Sequence, residues 1–213
     1  MTEPVLDVAD GDYLLPPGKV AMVVTYLQQF AMPQRDEPPA PEGVMLRRWS
    51  EVTRHTYLDL FRAIGTPWLW YGRLQKSPAE LDSILGDPNN EIHVVERDGR
   101  AIGLLELVTE TAGDVEVGYF GLVPGETGRG VGKWLMDRAQ RLAWARAETR
   151  RLWPHTCTAD DPAAMGFYQK MGFAPYGRGL EIATDPRLRG LHAQSAGPAS
   201  LPFIAVAEAP PAR

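Results

Sequence analysis

Val20-Ala21-Met22-Val23-Val24-Thr25-Tyr26-Leu27 is rich in β-branched and aromatic residues and predicts a strand. From Met32 to Gly43 the prolines Pro33, Pro38, Pro39 and Pro41 sit among charges, which forbids a ladder and predicts a surface loop. Met45–Trp49 predicts a short second strand. From Ser50 the spacing changes: Val52, Tyr57, Leu58, Leu60, Phe61 and Ile64 recur mostly at three- and four-residue intervals, as on one helical face, until Gly65-Thr66-Pro67 stops it. A second helix is expected near Ser77-Pro78-Ala79-Glu80, where Ser caps and Pro fits the first turn. Ile92–Glu96 and Ala101–Leu107 flank Asp98-Gly99 and predict a hairpin, because that dipeptide suits a two-residue turn with positive φ.

Val115–Val123 predicts a strand that runs into a glycine-rich turn and then into a helix carried by Val131, Trp134, Leu135, Ala139, Leu142 and Ala145. Leu152–Thr156 is a short strand. Asp161-Pro162 reads as a cap and first-turn proline opening a helix over Ala163–Met171, closed by Gly172. Phe173–Ala183 reads as a last strand pair. Residues 1–18 are acidic and punctuated by Pro and Gly, an extended leader. A domain is expected over 19–189 and an Ala/Pro-rich tail over 190–213, in which Phe203-Ile204-Ala205-Val206 is a candidate docked strand.

Composition narrows the function. The chain has 213 residues, 44% of them apolar, and a net charge of −5 from 22 Lys+Arg against 27 Asp+Glu. That suits one soluble domain with tails. An acidic balance argues against a nucleic-acid surface, which needs a clustered basic field. No apolar run approaches the roughly 18–20 residues that cross a bilayer. The N-terminus lacks a basic n-region and an apolar h-region, so a cytoplasmic location is expected. The single Cys157 excludes a disulfide framework or a thiolate zinc cage, and no metal is expected.

The chemistry-bearing stretch follows Leu122-Val123-Pro124. Gly128, Gly130 and Gly132 lie at the start of a helix, where free N–H groups and the helix dipole favour an anion and absent side chains allow a diphosphate to approach. Arg129 and Lys133 add positive charge. A P-loop ending at Gly132-Lys133 fails, because its first Gly would fall at Thr127 and its Ser/Thr at Trp134. A dinucleotide fingerprint from Gly128 fails at Lys133. A ligand-free glycine turn remains the alternative.

Gly130-Val131-Gly132 after that strand, together with Asp161-Pro162-Ala163-Ala164-Met165-Gly166-Phe167-Tyr168-Gln169-Lys170-Met171-Gly172-Phe173, resembles the GNAT superfamily of acyl-CoA N-acyltransferases over about Met45–Ala183. The second stretch matches the family's Asn-x-x-Ala, Phe/Tyr-Tyr and Lys-x-Gly-Phe signature. Thr127 stands where the phosphate motif carries Arg or Gln, so a hydroxyl replaces a longer donor. Asp161 stands in place of Asn. The resemblance implies an α/β (α+β) fold: a mixed, mostly antiparallel sheet flanked by helices and splayed between its two central parallel strands.

It also implies an N-acetyltransferase that uses acetyl-CoA as co-substrate, with direct attack by a primary amine in a ternary complex. Leu122, Val123, Thr127, Gly128, Arg129, Gly130, Val131, Gly132, Lys133, Asp161 and Ala164 would hold the cofactor. Tyr168 matches the family's general acid; ordinary core is its alternative. Glu116 is the leading base and His155 the competing one, against readings as a strand ion pair and a structural histidine. An alkylammonium of pKa about 10.4 must lose a proton before it attacks. Trp68, Trp70 and Tyr71, with Tyr119 and His155, are candidates for the acceptor wall, or for core beneath it. Cys157 is set aside as nucleophile, since a small buried thiol usually packs. The expected partner is a small-molecule or peptide amine, with neither nucleic acid nor membrane; a homodimer stays open. A non-catalytic acyl-CoA-binding module and an interaction domain built on exposed tryptophans are the competing classes.

Overall fold

Seven strands form one sheet through the centre of the protein: β1 (Lys19–Gln28), β2 (Val44–Arg48), β3 (Asn90–Arg97), β4 (Arg100–Thr111), β5 (Asp114–Leu122), β6 (Arg151–Cys157) and β7 (Ala174–Thr184), in the spatial order β2-β3-β4-β5-β6-β1-β7. The structure is a computed structural model and describes residues 5–111 and 113–206. Every neighbouring pair is antiparallel except β5 and β6. The first four residues of the expected leader and residues 207–213 of the expected tail lie outside the described residues.

Helices cover both faces. On one, α1 (Arg54–Gly65) and α2 (Pro78–Leu85) set Tyr57, Phe61, Ile64 and Leu81 against Ile92, Val94 and Leu104. On the other, α3 (Val131–Trp144) and α4 (Ala164–Lys170) pack Leu135, Met136, Ala139 and Tyr168 on Leu105, Leu107, Val115 and Val117. The helix of α1 starts at Arg54 rather than Ser50, because Thr53 caps it by accepting the Thr56 N–H at 3.3 Å. At α2 the full capping box forms between Ser77 and Glu80. The β3–β4 turn has positive φ at Asp98 (51°) and Gly99 (78°), as that dipeptide predicts.

Three expectations change. Asp161 does not cap α4. Its Oδ1 accepts the Ala163 N–H at 2.9 Å and its carbonyl accepts the Ala164 N–H at 2.8 Å, closing a turn ahead of the helix that takes up Pro162. Residues from Phe173 onward give one strand, not a pair. The partner of β7 is β1, the N-terminal strand, which fills the slot between β6 and β7. Phe203–Val206 forms no strand; Phe203 lies instead against the Arg187 guanidinium, 5.4 Å from its ring centroid.

One feature of the sheet creates the site. The β5–β6 register runs from Asp114↔Arg151 to Val117↔Pro154 and ends there, at a residue with no N–H to give. Beyond it β5 stays with β4 as far as Leu122, while β6 turns to β1 through His155↔Tyr26 and Cys157↔Val24. The two parallel strands therefore splay. A bulge at Gly118, between the pairs Leu107↔Val117 and Glu106↔Tyr119, lets Tyr119 join the α1 side while Phe120 and Leu122 join the α3 side.

Candidate active site

The splay opens into a cleft of about 680 Å³. One end of it is built by the turn after β5. Gly125, Gly128 and Gly130 have φ of 90°, 76° and 81°, a region open to glycine without strain. Gly130 caps α3 with no side-chain bond, and the first amide to bond within the helix is that of Trp134, to the Gly130 carbonyl at 3.1 Å. The amides of Gly130–Lys133 thus have no protein acceptor and are free to bind an anion. A Cβ at Gly128 or Gly130 would meet nothing within 4 Å, so this concavity is open. Arg97 steadies the turn by binding Glu126 at 3.0 Å.

Thr127, Gly128, Gly130, Gly132 and Lys133 line the cleft, as does Leu122. Val131 is fully buried in the core, and Arg129 is exposed outside the lining. Val123 packs behind the wall, its amide bound to the Ile102 carbonyl at 2.9 Å. Asp161 and Ala164 border the cleft at the start of α4.

Deeper in, Tyr168 is only 7% exposed, yet it lines the cleft and its hydroxyl has no hydrogen-bond partner in the protein. Edge contacts with Phe167 and Phe173, centroids 5.6 and 5.9 Å away, fix the ring, and Phe120 stacks on Phe167 beside it. Burial first, and then the Asp160 carboxylate, raise its pKa well above the usual phenol value. The hydroxyl is a proton donor, not a phenolate.

The opposite half is aromatic and acidic. Trp68, Trp70 and Tyr71 all line it, with Tyr119 and His155. Trp70 is both wall and core: it packs 5.4 Å from Phe61 and 5.2 Å from Tyr119. His155 reaches the cleft, while Glu116 stands behind it, with Oε1 3.4 Å from His155 Nδ1 and outside the lining. The His155 side chain is 42% exposed, yet enclosure by the cleft walls disfavours the charged imidazole; Glu116 outweighs this, helped by Asp160 and Glu181, so the His155 pKa rises above its ordinary value. Burial and Asp160 push the Cys157 thiol up to about 12, which keeps it protonated and unreactive.

Two lining acids escape sequence reasoning. Glu181 on β7 accepts from the Tyr71 hydroxyl, and Asp160 accepts from Trp70 Nε1 at 3.4 Å, Thr156 Oγ1 at 2.8 Å and the Cys157 amide at 2.8 Å. Their only signals are a lone acid in an alternating strand and a neighbour of Asp161. Below the floor, fully buried Glu106 accepts from Arg73 at 2.7 Å, Asn90 at 3.2 Å and the Tyr57 hydroxyl, which fixes Arg73 4.9 Å over the Tyr119 ring. Among the described residues, no group of three or more His, Cys, Asp or Glu is placed to hold a metal ion, and no helix is long and apolar enough to cross a membrane.

The fold has relatives of known structure. A GCN5-related N-acetyltransferase from Sphaerobacter thermophilus aligns at 19% identity and TM-score 0.54, over 76% of this chain and 51% of that one. A second, from Kribbella flavida, aligns at 18% and 0.52, over 81% of this chain and 63% of its own. A GNAT family acetyltransferase from Elizabethkingia anophelis, with acetyl-CoA bound, aligns at 17% and 0.50, over 64% of this chain and 80% of its own. At such identities the likeness is one of fold. The chain spans only about half to two thirds of the length of the first two. No curated protein matches significantly. The Acetyltransferase (GNAT) family model matches residues 49–173, more than half of the chain, and the protein belongs to that family.

Proposed function

We propose that the protein transfers an acetyl group from acetyl-CoA to a primary amine by direct attack with both substrates bound. The observation that carries this is that one cleft is lined by unpaired helix amides, by a buried phenol without a hydrogen-bond partner and by a histidine backed by a carboxylate. The amides of Gly130–Lys133, with the Lys133 ammonium, would hold the pyrophosphate of the cofactor. Bound there, the thioester supplies an already activated acyl carbon.

The remaining steps are proton transfers made by this chain. His155, on the cleft wall, accepts the proton that the attacking ammonium must lose, and Glu116 behind it balances the charge that results. Tyr168 gives its proton to the departing sulfur; its raised pKa means the proton is present across the neutral range. Cys157 takes no part, because a thiol held at about 12 offers almost no thiolate, which favours direct transfer over an acyl-enzyme.

The test is Tyr168→Phe, read by CoA release across an amine panel and by acetyl-CoA calorimetry. Turnover is expected to fall by about 10²–10⁴-fold with acetyl-CoA affinity kept, since the ring packing survives. Equal turnover in the two proteins removes the role of Tyr168. Acetyl-CoA binding with no CoA release for any amine makes the protein a binding module.

A further inference from the structure

Apart from the titrating His155, the formal charges of the acceptor half of the cleft are negative. Its acids are Asp160 and Glu181 on the wall and Glu116 behind His155; all three act electrostatically on His155. Asp160, Glu181 and Glu116 are partly exposed, whereas the buried acids among the described residues are neutralised by arginine: Glu106 by Arg73, Asp137 by Arg35 and Arg141, Asp185 by Arg187. Asp160 and Glu181 differ. Their partners are a tyrosine, a tryptophan, a threonine and a backbone amide, and among the described residues neither forms an ion pair with Lys or Arg. Lys133 lines the cleft beside the glycine turn, Arg73 is bound to Glu106, and Arg189 is bound to Gln75.

Negative potential in a walled cleft concentrates cations and repels anions. The aromatic rings of Trp70, Tyr71 and Tyr119 also favour an ammonium or a flat apolar body. The unpartnered Tyr168 hydroxyl is a second sign that this space holds a ligand. A substrate with a carboxylate next to its amine would bring that group against Asp160 or Glu181 with no cation to receive it.

We propose that the acceptor is a cationic amine without a neighbouring carboxylate, an arylalkylamine or a diamine rather than an amino acid, selected by the unpaired carboxylates of Asp160 and Glu181. The inference rests on the transferase reading but fails separately from it. The experiment compares decarboxylated and parent pairs, tryptamine with tryptophan, tyramine with tyrosine and cadaverine with lysine. Acetylation is followed by CoA release, and binding by calorimetry in the presence of CoA.

The decarboxylated member is expected to win by at least about tenfold in kcat/KM, because like-charge juxtaposition is unfavourable. In Glu181→Gln, which keeps an acceptor for the Tyr71 hydroxyl, and in Asp160→Asn, whose one amide oxygen keeps the Thr156 and Cys157 bonds while its NH2 gives up the one from Trp70, that discrimination should shrink toward unity while acetyl-CoA affinity holds. Equal or preferred use of the amino acids overturns the proposal and leaves the transferase intact. If no pair is turned over, tighter binding of the decarboxylated members still supports the charge selection while transfer fails. Absence of any difference in binding overturns it.

Discussion

His155 is the residue on which catalysis turns in this reading, and its titration is set by its neighbours. Glu116 at 3.4 Å, with Asp160 and Glu181 around it, holds the imidazolium against the cost of enclosure by the cleft walls, so the pKa lies above the ordinary histidine value. A base must be neutral to accept a proton. The acid limb of kcat/KM is therefore expected to fall at a pH above that of an unperturbed histidine, about 6.5. Glu116→Gln removes a raising influence, so the limb should move to lower pH while the plateau rate drops, since the imidazolium formed in the reaction loses its counter-charge. A limb that stays in place in Glu116→Gln would leave the base elsewhere. The sequence made these residues legible unevenly. Gly128, Gly130 and Tyr168 belong to short stretches whose local geometry sets their use: a left-handed turn before a helix, and a Phe-Tyr pair on one helix. Asp160 and Glu181 come together only because β1 brings β6 and β7 to the cleft, and nothing local announces that.

At the scale of elements, the predicted strands and helices follow periodicity closely, because each buries one face in a two-sided core. The departure at Asp161 is a local turn, whereas that at β7 comes from long-range pairing. The strand that completes β7 arrives from the N-terminus, nearly the whole chain away. The Pro-rich segment is a loop as its composition predicts, yet it is fastened by Arg35, a residue of no evident pattern. The Arg35 guanidinium binds the fully buried Asp137 carboxylate at 2.9 Å and also Gln140 on α3. It thereby ties the loop to the helix whose first turn lines the cleft. Arg35→Ala leaves Asp137 with Arg141 alone, 2.6 Å away. A loss of roughly 2–3 kcal/mol is expected, somewhat below that of a fully broken buried pair, read as a lower urea midpoint at unchanged slope. Glu37→Ala, on the same loop but with an exposed carboxylate facing Arg138, should cost less than about 1 kcal/mol. Equal costs for the two would mean the loop is held by its prolines and not by the buried ion pair.

Across the whole molecule, the aromatic wall of the cleft is fixed by chain drawn from both ends. Arg187 is 5% exposed and binds Asp185 at 2.8 Å and the carbonyls of Ala196 and Leu201 at 3.0 Å each, while the Asp185 amide reaches back to the Gly18 carbonyl at 2.9 Å. From this hub the segment after β7 runs to the cleft. His192 Nε2 lies 2.9 Å from the Trp70 carbonyl, and burial lowers its pKa, so a neutral ring donates there. The Gly197 amide bonds to the Thr66 carbonyl at 3.2 Å, beside Leu69, whose left-handed φ of 54° is unusual for a branched side chain. The wall is therefore shaped by a segment that composition alone marks as a tail. Replacing both members of the hub, Arg187→Met with Asp185→Asn, avoids stranding a buried carboxylate. Hydrogen exchange at the amides of Ala196, Gly197 and Leu201 should accelerate, and KM for the amine should rise several-fold while acetyl-CoA affinity stays constant. Burial opposes the Asp185 carboxylate, but Arg187 outweighs it and lowers its pKa, so the wild-type clamp is intact above pH about 4 and is lost as pH falls below that. The double variant should lack that acid-dependent step. Unchanged exchange and an unchanged amine KM in the double variant would mean that the wall stands on α1 and the Trp70 ring packing alone.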